Sequence, residues 1–209
     1  MKLATEGYPY IVGFSAISAF AYLAGNIWIA SIPLILTLFM AFFFRDPERK
    51  IPEGKGLFVS PADGKIIAIA DAFENEYLHA DTKEISIFMS PLNVHVNRVP
   101  CSGVVKTVKH TPGGFKAAYL DEASISNENI AMHLECEKGD VLVRQVAGYV
   151  ARRAVCRAEP GDSLNRGDRY GIIKFSSRLD VYLPKDIDIK VKLGDIVKAG
   201  ETIIGEISK

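Results

Sequence analysis

Between Gly7 and Phe44 the chain carries no charged residue, and Ile, Leu, Phe and Ala dominate the run. A helix built from it is apolar on every face and needs lipid or protein around it. One straight membrane span takes about 20 apolar residues, and this run is far longer. Ala24-Gly25-Asn26 lies near its middle, where a glycine and an amide favour a turn, so residues 1–44 read as a transmembrane helical hairpin. The alternatives are one long tilted helix with Gly25 and Pro33 inside it, or a helix pair buried on a soluble core. The run is too long for a signal-peptide core and lacks a small-residue cleavage site before a polar sequence. Lys2 before it and Arg45, Arg49 and Lys50 after it direct both ends to the cytoplasmic side of the cell membrane. With Lys55, these arginines and Lys50 also stand where cations meet anionic headgroups or simply anchor topology.

After Pro52 the pattern changes to short β-rich runs bounded by Gly, Pro or Asp. Strands are expected at 65–70, 84–89, 103–108, 131–136, 141–146, 153–156, 171–175, 179–183, 187–191 and 202–207. Residues 45–209 therefore read as one mostly antiparallel β domain, with an irregular stretch from Pro112 to Asn129 and a short helix at Phe115 to Leu120. Glu159-Pro160-Gly161-Asp162-Ser163-Leu164-Asn165-Arg166-Gly167 is echoed by Lys192-Leu193-Gly194-Asp195-Ile196-Val197-Lys198-Ala199-Gly200. Glycine supplies positive φ and aspartate caps the turn. The same turn grammar is found in lipoyl and biotinyl carrier domains, which gives a barrel-sandwich, lipoyl-like β fold as the expectation. A membrane-anchored adaptor of that architecture without chemistry is then the rival function.

Lys plus Arg and Asp plus Glu are balanced at 25 each, so no global field points to nucleic acid. Cys101, Cys136 and Cys156 lack Cys-x-x-Cys spacing and read as buried thiols, with neither a disulfide framework nor a metal site suggested.

Ser176 and Ser177 fall between two apolar alternating segments, a place where serines ordinarily satisfy turn backbone. Lys174-Phe175-Ser176-Ser177-Arg178-Leu179-Asp180, however, resembles the Phe-Gly-Ser-Arg-x-Asp self-cleavage site of the short-form phosphatidylserine decarboxylases, a family that includes the archaetidylserine enzymes. Four further segments match in order: Phe43 to Arg49, Ser60-Pro61-Ala62-Asp63-Gly64-Lys65, Phe88 to Pro100, and Gly148 to Arg153.

The resemblance implies a proenzyme cut between Ser176 and Ser177, with Ser177 becoming a covalent pyruvoyl group, the electron sink for decarboxylating a serine phospholipid. It implies His95 as the base and Asp63 as the residue that orients and charges it. Arg98 suits a bidentate contact with the lipid phosphate, or a surface salt bridge. The implied partners are a serine phospholipid, the bilayer, the chain's own two cleavage products and a second copy in a homodimer. Three positions depart from the family pattern. Ser176 replaces glycine, Arg98 stands where long-form relatives carry a second histidine, and Asn129 stands where an arginine is usual. Lipid tail type is outside what the headgroup chemistry determines.

Overall fold

The computed structural model describes residues 2–114, 127–148, 154–174 and 177–207. The chain divides into Met1–Glu48 and Arg49–Lys209, so residues 45–48, grouped with the β domain on composition, belong with the helices.

In the first unit, strand β1 (Lys2–Leu3) pairs antiparallel with β2 (Arg45–Asp46) and closes a pair of helices, α1 (Tyr8–Leu23) and α2 (Ile27–Phe43). The turn falls where glycine and asparagine placed it. Gly25 takes φ +82, and Asn26 caps α2 by accepting the Ile29 N–H at 3.1 Å. The Ser18 hydroxyl donates to Ala30 O at 2.8 Å across the hairpin. Apolar side chains point outward on both helices, with Leu23 and Trp28 each 83% exposed. Among the described residues no helix is long and apolar enough to cross a membrane.

The second unit holds β3 (Leu57–Val59), β4 (Gly64–Glu74), β5 (Ala80–Met89), β6 (Val96–Arg98), β7 (Gly103–Thr111), β8 (Asn129–Cys136), β9 (Val141–Ala147), β10 (Ala154–Cys156), β11 (Ser163–Leu164), β12 (Arg169–Ile173), β13 (Ser177–Pro184), β14 (Ile187–Ile189), β15 (Ile196–Val197) and β16 (Ile203–Ile207). The long sheet runs β11-β7-β8-β9-β13-β5-β4-β15, with β10-β12-β6 and β14-β16-β3 as smaller sheets. Every ladder between these strands is antiparallel. The result is a mostly β, barrel-like unit, as expected. The expected strands at 153–156 and 171–175 are confirmed only where they are described, and the expected helix at 115–120 lies outside the described residues.

Alternation decides what is inside. Ile85, Ile87 and Met89 of β5, Val141 and Val143 of β9, and Leu179, Val181 and Leu183 of β13 share one buried core. Cys101 and Cys136 are joined as a disulfide rather than held as two thiols, because Gly103 pairs with Cys136 and carries the preceding cysteine to it. Cys156 is a free thiol.

The sequence repeat is a repeat of bonds. Gly161 N–H reaches Val105 O at 2.8 Å and Val105 N–H returns to Asp162 O at 2.9 Å; Gly194 and Asp195 do the same to Ile66, at 2.9 Å each way. Each clip sits at a bulge, between Val105 and Thr107 in β7 and between Ile66 and Ala68 in β4. Asp162 and Asp195 cap their turns by accepting the N–H of Glu159 and Lys192, both at 2.8 Å. The corners ahead of these strands match as well: Arg98 N–H donates to Pro61 O, and Val59 N–H to Pro100 O, both at 2.9 Å.

Candidate active site

One end of the long sheet gathers the residues that the sequence picks out. There β4 and β13 begin, at Gly64 and Ser177, while β5 and β9 end, at Met89 and Ala147. Ser177 pairs with Met89 on one side and Ala147 on the other. Its side chain is fully buried on the core face, and its hydroxyl donates to Met89 Sδ at 3.5 Å. Sulfur is a weak acceptor, so burial of this hydroxyl is poorly compensated. The Ala147 carbonyl beside it is held by Asn127 Nδ2 at 2.7 Å. Ser176, the other half of the expected cleavage site, lies outside the described residues.

Arg178 and Asp180 alternate to the opposite face of β13. Arg178 Nε donates to Asp180 Oδ1 at 2.6 Å, and its Nη2 reaches Ser86 Oγ at 2.7 Å and Glu84 Oε1 at 3.4 Å. Burial, and then the charge of Asp180, raise the Glu84 carboxyl above its usual range. The Arg-x-Asp part of the motif thus clamps the strand from behind the serine.

Val94, His95 and Val96 are all buried. Ser90-Pro91-Leu92-Asn93 makes a turn in which Asn93 Oδ1 accepts the Ser90 N–H at 2.9 Å. His95 Nδ1 lies 3.0 Å from Asn93 O. A carbonyl only accepts, so Nδ1 carries the hydrogen and Nε2 is the basic nitrogen of the neutral ring. Ile173, four positions ahead of Ser177, donates its N–H to His95 O at 3.3 Å, which ties the histidine to the strand leading into the serine.

Asp63 faces a different partner from the one expected. Arg49 Nη2 donates to both of its oxygens, at 2.9 and 2.8 Å, and the Ala199 N–H donates to Oδ1 at 2.8 Å. The pair is largely buried, with side-chain exposures of 7% and 11%. Among the described residues Asp63 makes no bond to His95, whose ring is oriented instead by Asn93 O. Arg49 is therefore an internal counter-ion and not a headgroup anchor. Arg98 is buried and donates to Gly167 O at 2.8 Å through Nη1. Asn129, in the position where the family has arginine, donates to Asn127 O at 3.0 Å.

Two residues near Ser177 drew no attention in the sequence. Asn97 Nδ2 lies 3.8 Å from Met89 Sδ, and Gln145 Nε2 donates to Asn97 Oδ1 at 2.8 Å. The available signal was Gln145 itself, a polar residue on the otherwise apolar inward series of its strand.

Comparison with known proteins decides what this assembly belongs to. A family model for phosphatidylserine decarboxylase matches residues 36–205. The chain belongs to the phosphatidylserine decarboxylase family. Similar relatives are the phosphatidylserine decarboxylase proenzymes of Syntrophus aciditrophicus, 46% identical across 97% of this chain and 96% of that one, and of Geotalea uraniireducens, 47% identical across 97% and 95%. That of Desulfotalea psychrophila is 44% identical across 99% of this chain and 97% of its own length. The match extends through the helical unit as well as the β unit, and it runs past Ser177. For a phosphatidylserine decarboxylase, the buried serine at the start of β13 is the residue to explain.

Proposed function

We infer that this chain is a self-processing proenzyme that decarboxylates phosphatidylserine to the ethanolamine lipid through a pyruvoyl group made from Ser177. The carrying observation is a fully buried serine hydroxyl whose acceptor is a thioether, at the first residue of a strand clamped by Arg178 and Asp180. A serine that served only the turn would bond main-chain groups.

In maturation, Ser177 Oγ attacks the Ser176 carbonyl carbon; the C–O bond forms as the C–N bond breaks, and the hydroxyl proton passes to the new amine. Removal of the Ser177 Cα proton then expels the carboxylate of residues 1–176. Water replaces the nitrogen, ammonia leaves, and a ketone remains. His95 is the proposed base: with its Nδ1 pinned to Asn93 O, Nε2 is the nitrogen that would take the proton. Asp63 is proposed to act with Arg49 as a fixed ion pair at the same end of the sheet. Arg98 is the proposed phosphate ligand, since a guanidinium suits a bidentate phosphate contact.

The surroundings fit a pyruvoyl group. It is small, neutral and in need of no counter-ion, and Met89 and Ala147 on either side give it an uncharged wall. Such a group supplies an electron sink for the pair left by carbon dioxide. The adaptor reading leaves this buried constellation without a use.

The clips at Ile66 and Val105 support the barrel-sandwich architecture. The outward apolar residues of α1 and α2 support a hairpin embedded in the cytoplasmic face of the cell membrane, with both ends on that side. At about 1.5 Å per residue each helix is somewhat shorter than the hydrocarbon core of about 30 Å.

The test is release of carbon dioxide from phosphatidylserine by the full chain. Ser177→Ala should abolish both cleavage and turnover, whereas retained turnover would rule out Ser177 as the origin of the reactive group.

A further inference from the structure

Gln145 lies on β9 in the inward series Val143, Gln145, Ala147, opposite Leu179 and two pairs along the ladder from Ser177. It is 1% exposed. Its Nε2 donates to Asn97 Oδ1 at 2.8 Å and to Val155 O at 3.4 Å. A main-chain carbonyl only accepts, so it fixes which end of the amide is nitrogen, and in turn points Asn97 Nδ2 at Met89 Sδ. The remaining oxygen, Gln145 Oε1, is buried and has no hydrogen-bond partner among the described residues. An orphan acceptor in such a place is destabilising.

The backbone is shaped to admit this amide. A Cβ on Gly171 would come within 2.9 Å of Gln145 Nε2 and would strike Val155 O. Leucine would fill the Gln145 position without an unsatisfied oxygen. The polar residue is kept, oriented by Asn97 and linked through Met89 to the Ser177 hydroxyl.

We propose that Gln145 is a specificity residue for the amine of the serine headgroup, its Oε1 accepting an N–H from that nitrogen when the lipid lies beside position 177. The proposal rests on the reading of Ser177 as the reaction centre. A neutral acceptor suits the task better than a carboxylate. An acidic side chain here would favour the ammonium form, whereas the nitrogen must lose its proton to act as a nucleophile. An amide carbonyl binds either form. Asn97 is the positioning residue, since it reaches the lipid only through Gln145.

Gln145→Leu leaves Asn97 Oδ1 without its donor and so loses stability. Asn97→Leu/Gln145→Leu removes both polar groups and should fold like the parent. The experiment uses the full processed chain in detergent and follows four quantities: extent of cleavage by intact mass, thermal midpoint, kcat and KM on phosphatidylserine, and direct binding of phosphatidylethanolamine against phosphatidic acid. Both variants should be fully cleaved. Both should bind phosphatidylethanolamine about fivefold to tenfold more weakly, with phosphatidic acid unchanged and KM raised to match. Equal weakening toward the two lipids, an unchanged KM, or a block in cleavage would each overturn the assignment. Failure of the parent chain to cleave at position 177 would count against the functional reading, whatever the variants do.

Discussion

At the corner ahead of β4 the residue before glycine is Asp63; at the matching corner ahead of β7 it is Ser102. Each accepts the N–H that precedes the second glycine of its Gly-Asp turn, Ala199 for Asp63 at 2.8 Å and Arg166 for Ser102 at 3.0 Å. There the likeness stops. A carboxylate still has an oxygen and a negative charge to offer, and Arg49 takes both oxygens. A hydroxyl offers neither, and the Arg166 guanidinium lies against the carbonyls of Pro52, Gly54 and Leu57. The second corner has Cys101 where the first has Ala62, and there a disulfide takes the place of chemistry. A repeated backbone frame thus acquires a charged, buried site in one copy through single side-chain changes.

The two corners can be set apart by measurement. Asp63→Ala takes the doubly bonded carboxylate from the buried Arg49, leaving it, among the described residues, only Glu201 Oε2, 3.5 Å from its Nη1, and should lower the unfolding free energy of the β unit by about 3 kcal/mol in urea titration, the low end for a broken buried pair. Losing the link between Cys101 and Cys136, 35 positions apart, in Cys101→Ala/Cys136→Ala should cost about 2–4 kcal/mol by the same titration. Ser102→Ala loses one hydrogen bond and should cost only about 0.5–1.5 kcal/mol. Similar losses for Asp63→Ala and Ser102→Ala would make the corners equivalent and remove the special standing of the Asp63 pair.

A smaller effect serves as a control away from both corners. Glu84 has its folded pKa raised by burial and by Asp180, so the fold prefers its protonated form. That preference is fully present below the ordinary value of 4.5 and is lost as pH rises from there through the raised folded value. Glu84→Gln should therefore lose less stability than the parent between about pH 4.5 and 7. A parallel slope in the two proteins would mean the carboxyl is not coupled to folding.

Most of this architecture was legible because it is local. Leu179 to Leu183 alternates, Ala24-Gly25-Asn26 turns, and the two Gly-Asp repeats mark bulge clips in the order they appear. What escaped depends on register between distant segments. Strands β11 and β15 are two residues each and exist only because β7 and β4 bulge beside them. Arg49 looked like a surface cation after an apolar run, and only tertiary pairing with Asp63 reveals it as buried. Asp63 beside His95 was a family expectation, and the ring's neighbour is a carbonyl two residues away. Gln145 stands out from Val143 and Ala147 on the inward series only by its polarity, a signal that carries weight only once Val155 and Asn97 are seen to orient it.

The central claim is that Ser177 is both nucleophile and cofactor precursor. Intact mass of the purified full chain, under denaturing and reducing conditions, tests it directly. Two polypeptides should appear, residues 1–176 and 177–209, the smaller lighter by one ammonia than a fragment beginning with serine and reactive toward hydroxylamine. A single uncut chain, a break on the other side of Ser176, or a small fragment with an ordinary serine amine at its start would contradict the account.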